Sequence, residues 1–322
     1  MSRNTTIGPC SETMPQAART RYIDFMAHQH VADENSIQID SYKADIITLT
    51  PAHRQALHEL TVSVFWPHRA RDLDVFLALG RGYLAIDGIG RPLGSAMYFP
   101  VGEDYAMFGM MITTPRLQSY GAGARLLRRI MRDCEGRDLR LSATRAAYRL
   151  YEYAGFVPVG TIWQHQGIVR PMRPPTAVPG LEVRPLEPAD LAQIHALDSH
   201  AYGADRHAML EMFVRLSDGM VALREGRVVG YALKRDFGKG VVIGPLVAEN
   251  DRIAMQLATP LLQALEGQFA RLDTPVESEQ FAAFLASAGL GVFDTVTEMR
   301  NGVMRRPQDG LQIYGLSAHS LG

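Results

Sequence analysis

Cysteine is scarce in this chain. Two residues, Cys10 and Cys134, stand among 322, which excludes a disulfide framework and a cysteine-based metal site. Lysine is nearly missing too: Lys43, Lys234 and Lys239 are three of 33 cationic residues, and the rest are arginine. Neither charge sign is in excess. The formal net charge is −1 and the sequence pI is near 6.8, so nothing draws the chain toward nucleic acid. Long apolar runs are absent. Val241–Ala248, eight residues of apolar, Gly or Pro type, falls far short of the roughly 18 a membrane-crossing helix needs. No basic stretch followed by an apolar segment opens the chain, so a cytoplasmic protein is expected, without membrane or nucleic-acid partners.

What remains is a globular composition, 47% hydrophobic and 21% charged, long enough for two domains. The sequence is organised twice. Leu49-Thr50-Pro51-Ala52 precedes Leu186-Glu187-Pro188-Ala189 by 137 positions, Gly94 maps onto Gly230 at 136, and Gly109 onto Gly244 at 135. Ordered matches at a slowly drifting offset indicate a duplicated fold. The expected layout is an N-terminal extension over 1–44, a first domain over 45–170, and a Pro-rich linker over 171–180. A second domain over 181–303 and a tail over 304–322 complete it.

Each copy reads as a Pro-entered helix, two strands around a Gly turn, a third strand, a long helix, a strand, a short helix and a last strand. This order predicts an α/β fold, a mixed sheet with a strand–helix–strand centre in each copy. In the first copy the long helix places Gly123, Leu126, Leu127, Ile130, Met131 and Cys134 on one face and Arg125, Arg128, Arg129 and Arg132 on the other.

The stretch Gln118-Ser119-Tyr120-Gly121-Ala122-Gly123 joins the third strand to that helix. Backbone N–H groups at a helix N-terminus suit a phosphate or pyrophosphate, and glycines let the anion approach. The dinucleotide fingerprint is incomplete, since Leu126 lies three after Gly123, and no Gly-Lys-Ser/Thr follows for a Walker loop. About thirty residues on stands Leu150-Tyr151-Glu152-Tyr153-Ala154-Gly155-Phe156. Gln-x-x-Gly-x-Gly at a strand-to-helix turn, then Leu-Tyr-Glu-x-x-Gly-Phe before a last strand, resembles the GNAT N-acetyltransferases over roughly residues 46–170. Trp66-Pro67-His68-Arg69, Gly109-Met110 and Ser142-Ala143-Thr144 resemble the two-domain type with a divergent second GNAT-like domain. At Thr144 many members carry asparagine.

The resemblance implies acetyl-CoA as co-substrate, with no metal. It implies cofactor contacts from Gln118, Ser119, Tyr120, Gly121, Ala122, Gly123 and Ala124, from the strand residues Met111, Ile112 and Thr113, and from Thr144. It also implies Tyr151 as general acid beside the departing CoA sulfur. For the acceptor side the candidates are Trp66, His68 as a base, Glu103, and Asp198 and Glu298 of the second copy. At offsets of 135 and 134, Gly121, Gly123 and Tyr151 become Gln256, Ala258 and Leu285, so the second copy is expected not to bind CoA. The expected reaction is acetyl transfer to the amine of a small molecule by direct attack. A non-catalytic acyl-CoA sensor and a protein or peptide amine acetyltransferase are the alternatives.

Overall fold

The computed structural model describes residues 15–27, 35–39, 42–118, 121–306 and 310–322. In chain order its elements begin with α1 (Gln16–Ala27), β1 (Ser36–Ile39), β2 (Tyr42–Thr48), α2 (Arg54–Ser63) and α3 (Ala70–Leu79). Then come β3 (Arg81–Ile86), β4 (Pro92–Val101), β5 (Tyr105–Thr113), α4 (Pro115–Gln118) and α5 (Ala122–Asp133). β6 (Asp138–Ala143), α6 (Tyr148–Tyr153) and β7 (Val157–Ile168) follow. The second run is β8 (Leu181–Pro185), α7 (Leu191–Tyr202), α8 (His207–Leu216), β9 (Asp218–Arg224), β10 (Arg227–Phe237), β11 (Gly240–Ala248) and α9 (Asp251–Gln263). β12 (Phe269–Thr274), α10 (Glu279–Ser287), β13 (Gly291–Asn301) and β14 (Gln312–Gly315) end it. No helix among the described residues is long and apolar enough to cross a membrane.

Two compact units divide the chain. The first holds residues up to Val159 together with Thr297–Met304, and the second holds Gly160–Val296 with Arg305–Gly322. Each unit therefore takes a strand from the other run of sequence. In the first, β13 pairs antiparallel with β6 from Thr297↔Ala143 to Asn301↔Leu139. In the second, β7 pairs antiparallel with β12 from Phe269↔Ile168 to Thr274↔Trp163. Cuts at 170 and 303 miss this exchange, because strand pairing rather than chain proximity decides membership.

In unit 1 the strands run β1-β2-β3-β4-β5-β6-β13, all antiparallel except the β5–β6 pair. Leu126, Leu127, Ile130 and Met131 of α5 pack into a core with Ala96 and Tyr98 of β4, Phe108 of β5 and Phe156. The described part of the N-terminal segment, expected as an extension, packs into the first unit. Phe25 of α1 and Ile37 of β1 are buried in that same core. The arginine face of α5, expected to point outward, holds the segment down: Arg128 lies 4.9 Å over the Phe25 ring, and Arg129 bonds Asn35 Oδ1 at 2.8 Å. Gly155 takes φ +86°, and a Cβ there would stand 2.7 Å from Tyr22 Cβ, so glycine admits α1 against α6.

Unit 2 repeats the plan as β7-β12-β11-β10-β9-β8, with β11–β12 the parallel pair. The matching glycines serve one purpose twice. A Cβ on Gly94 would meet the Ile112 carbonyl at 2.8 Å, and one on Gly230 the Val247 carbonyl at 2.8 Å. The C-terminal residues are core, not tail. Ile313, Tyr314, Leu316 and Leu321 are buried, and β14 pairs antiparallel with β11.

Candidate active site

The site begins with two parallel strands that part. β5 pairs with β6 from Tyr105↔Asp138 to Phe108↔Leu141 and no further, although it runs on to Thr113. From Gly109 onward its β6-side edge has no strand partner among the described residues, so its backbone groups there can take an extended ligand. On the other edge the β4–β5 register slips between Ser95↔Ile112 and Met97↔Gly109, a bulge on β5. Met110 sits in it at φ +51°, an uncommon conformation for a bulky side chain.

Beyond this edge the chain turns into α5. Gly121 is the N-cap at φ +67° and offers no side-chain cap to the first amides of the helix. Among the described residues a Cβ on Gly121 would meet nothing within 4 Å. One on Gly123 would touch Leu150 Cδ2 at 3.4 Å, which makes this glycine the seat for α6. Gln118 Nε2 donates to the Thr113 carbonyl at 3.1 Å and closes the turn. Ala122 is buried and Ala124 half-buried against the core, leaving their backbones as their means of contact. Ser119 and Tyr120 lie outside the described residues. The Thr144 carbonyl accepts from Ala147 and Tyr148 N–H and starts α6. An acyl-CoA fits these residues. Its pyrophosphate suits the positive end of α5, and its extended arm suits Met111, Ile112 and Thr113 on the free edge.

Tyr151 stands on α6, 5% exposed, with its ring 5.9 Å from that of Phe156. Burial alone pushes its phenol above the usual tyrosine range. None of the described hydrogen bonds uses its hydroxyl, so at neutral pH it is a protonated donor available to a developing anion.

Strand alternation separates this phenol from the acceptor-side candidates. Phe108, 6.0 Å from Phe156, faces α5 with Tyr98, whereas the neighbouring Phe99 faces away and packs 5.7 Å from Phe76. His68 lies 5.4 Å from Phe76 and 5.9 Å from Trp66, all centroid distances. His68 and Trp66 thus belong to the sheet face opposite Tyr151. Glu298 is on that opposite face too. It pairs with Ser142 of β6, while its neighbour Met299 turns into the α5 core with Leu141. Glu298 is buried, 3.7 Å from the Arg140 guanidinium. The sequence places it in the second copy; strand exchange carries it into the first unit.

Two candidates are not brought to the site. Glu103 is exposed in the β4–β5 turn, at the end of β5 away from the bulge by about 20 Å at roughly 3.3 Å per residue. Asp198 is closed in a buried pair with Arg206, at 2.8 and 3.1 Å, and also accepts from the Tyr231 hydroxyl. Its charge is already satisfied. Among the described residues no group of three or more His, Cys, Asp or Glu could hold a metal ion. Ser95 and β14 were not singled out by sequence, because their partners, Met110 and β11, are set by pairing across the sheet.

The second unit has the same parting of strands, and its own chain fills it. β14 pairs with β11 at Leu246–Ala248, and Leu316 N–H donates to the Asp273 carbonyl of β12 at 2.8 Å. Eight residues, 114–121, join β5 to α5, but only 249 and 250 join β11 to α9. The turn itself is deleted, so Gln256 and Ala258 are not the counterparts of Gly121 and Gly123. Asn250 caps α9, accepting from Ile253 N–H, and Asp251 accepts from the hydroxyls of Tyr314, at 2.6 Å, and Ser278. Gln256 lies in the second turn and donates to the carbonyls of Pro175 and Thr176. Tyr151 does have Leu285 as its counterpart: Phe156 N–H bonds the Tyr151 carbonyl as Leu290 N–H bonds that of Leu285.

Residues 89–173 and 194–315 each match a family model described as an acetyltransferase (GNAT) domain. The chain is 26% identical over 239 residues to the uncharacterized N-acetyltransferase YitH of Bacillus subtilis, covering 72% of this chain and 83% of that protein. A crystal structure of a proposed acetyltransferase from Pyrococcus horikoshii superposes with a TM-score of 0.71 at 21% identity, covering 92% of this chain and 99% of that one. A tandem GNAT protein from the clavulanic acid biosynthesis pathway superposes at 0.57 and 12% identity, over 83% and 100% of the two chains.

Proposed function

The chain is a tandem GNAT N-acetyltransferase, and on that premise we propose that its first unit transfers an acetyl group from acetyl-CoA to the amine of a small molecule, in the cytoplasm. The observation that carries this reading is the open edge of β5 leading into the uncapped glycine turn of α5. Acetyl-CoA would supply the activated acyl group as a thioester. The amides of Gly121–Ala124 bind the pyrophosphate, and the β5 edge aligns the arm so that the carbonyl meets a backbone donor at the bulge. The acceptor's lone pair attacks the carbonyl carbon from the face of His68 and Glu298, the C–S bond breaks, and the Tyr151 hydroxyl donates to the leaving sulfur from the other face. Its raised pKa keeps the Tyr151 phenol protonated, so it acts as a hydrogen-bond donor to the departing thiolate, and that thiolate, whose pKa of about 8.5 lies below the phenol's, takes its proton from water. In this reading His68 or Glu298 takes the proton lost by the amine. Their recessed positions favour a small acceptor over a protein tail.

Calorimetry with acetyl-CoA, followed by thiol release across an amine panel, tests the proposal. One site per chain and amine-dependent thiol release are expected. No binding would end it, and two equivalent sites would contradict the filled cleft of unit 2. Binding without thiol release for any amine would make the protein a sensor.

A further inference from the structure

Ser95 is completely buried on β4 and carries no apolar bulk to justify its place in a core. Its hydroxyl donates to the main-chain carbonyl of Met110 at 2.7 Å. Met110 is the bulge residue at φ +51°, where an ordinary side chain is held against its backbone preference. The carbonyl and the following N–H of a trans peptide point in opposite directions. A bond that draws the Met110 carbonyl toward β4 therefore turns the Met111 N–H away from β4, toward the edge that β6 has left.

The second unit supplies a comparison. Ser95 pairs with Ile112, and its counterpart Tyr231 pairs with Val247. The register slips there as well, between Ala232↔Leu246 and Lys234↔Ile243, so the second unit keeps a bulge, at Gly244-Pro245. Tyr231 does not hold it, because its hydroxyl goes to Asp198. A serine bonded to the bulge carbonyl occurs where the strand edge is open, and is missing where β14 fills the cleft.

We propose that Ser95 is a positioning residue for acetyl transfer: its bond to the Met110 carbonyl fixes the Met111 N–H as the donor that polarises the thioester carbonyl. This rests on the reading of unit 1 as an acetyl-CoA site. Ser95 does not touch the reacting atoms itself. Removing its hydroxyl lets the 110–111 peptide rotate, which weakens stabilisation of the developing oxyanion while the turn at Gly121 still binds the pyrophosphate.

The test uses the full chain with Ser95→Ala and with Ser95→Cys, which nearly keeps the volume but donates weakly. Isotope-edited infrared spectroscopy of acetyl-CoA labelled with ¹³C at the carbonyl reports polarisation without turnover. Wild type is expected to shift the thioester band to lower frequency than in water, with Ser95→Ala losing most of the shift and Ser95→Cys lying between. Expected kcat falls about 10- to 100-fold in Ser95→Ala, below the 10²–10³ of losing an oxyanion donor outright, with KM for acetyl-CoA within about two-fold. A wild-type band shift that survives in both variants, with unchanged kcat, overturns the role of Ser95 and leaves the acetyl-CoA reading standing. Equal rises in KM and falls in thermal stability, without a band change, would make Ser95 merely structural and overturn it too. Failure of wild type to bind acetyl-CoA removes both ideas together.

Discussion

The two units build the same parted pair of strands and use it in opposite ways. In unit 1 the β5 edge beyond Phe108 has no strand partner among the described residues, an eight-residue connection leads to α5, and its N-cap Gly121 supplies no side-chain cap. In unit 2 β14 lies on β11, the connection has shrunk to two residues, and Asn250 caps α9. A splayed sheet exposes backbone groups that must be satisfied by something. In unit 2 the chain itself supplies partners, through β14 on β11 and the Leu316 N–H on the Asp273 carbonyl. The difference is also electrostatic: unit 1 has a glycine without a side-chain cap at the positive end of α5, whereas unit 2 has Asp251 at that end of α9, bound to Tyr314 and Ser278.

Breaking the polar core of unit 2 should have the largest effect on the fold. Asp198→Ala leaves Arg206 buried without its partner and is expected to cost about 3–5 kcal/mol. Because Thr297–Met304 belongs to unit 1, calorimetric melting should take acetyl-CoA binding away in the same transition. Binding that survives the melting of unit 2 would show that the strand exchange does not couple the units.

Gly121→Val strikes the other side of the comparison. A β-branched residue at φ +67° is strained, and its side chain would stand at the N-terminus of α5. Acetyl-CoA affinity measured by calorimetry should drop on the order of 10²-fold or more, about 2.7 kcal/mol, while the melting temperature falls by only a few degrees. Wild-type affinity in that variant would move the cofactor away from the turn.

Tyr151→Phe converts the donor of unit 1 toward the apolar Leu285 of unit 2. It should lower kcat about 10²-fold and leave acetyl-CoA binding unchanged, since the ring still packs on Phe156. The phenol's pKa is raised by burial above its unfolded value of 10.0, so its contribution to stability is present below about pH 10 and is lost as pH rises beyond it. Wild-type melting temperature should therefore fall above pH 10, and less steeply in Tyr151→Phe. Identical pH profiles would mean that the ring is not buried as described.

The smallest effect is expected at the plug. Tyr314→Phe removes one hydroxyl bond to Asp251 and should cost about 1 kcal/mol by denaturant unfolding, with no second acetyl-CoA site appearing. A second site in this variant would show that the closure of unit 2 hangs on one bond and not on the deleted turn.

The duplication, the order of elements and the glycine turn of unit 1 were legible in the sequence, because each is local. Apolar periodicity sets the α5 face, Gly94 and Gly230 serve backbones that approach in the same way, and Gly121 marks the conformation that only glycine adopts freely. Tyr151 came with the resemblance carried by Leu150-Tyr151-Glu152 and Gly155-Phe156, and the fold buries its ring beside Phe156. What the sequence reading misplaced depends on partners distant in the chain. Offsets of 135 carried Gly121 onto Gln256, because a deletion between β11 and α9 leaves no mark in a run of small and apolar residues. Residues 1–44 and 304–322 read as an extension and a tail, since the contacts that fix their described parts, α1, β1 and β14, come from Arg128, Arg129 and β11. Glu298 changed units for the same reason. A strand's side chains alternate by local geometry, but which strand lies beside it is a choice among all edges of similar pattern, and only the folded sheet makes that choice.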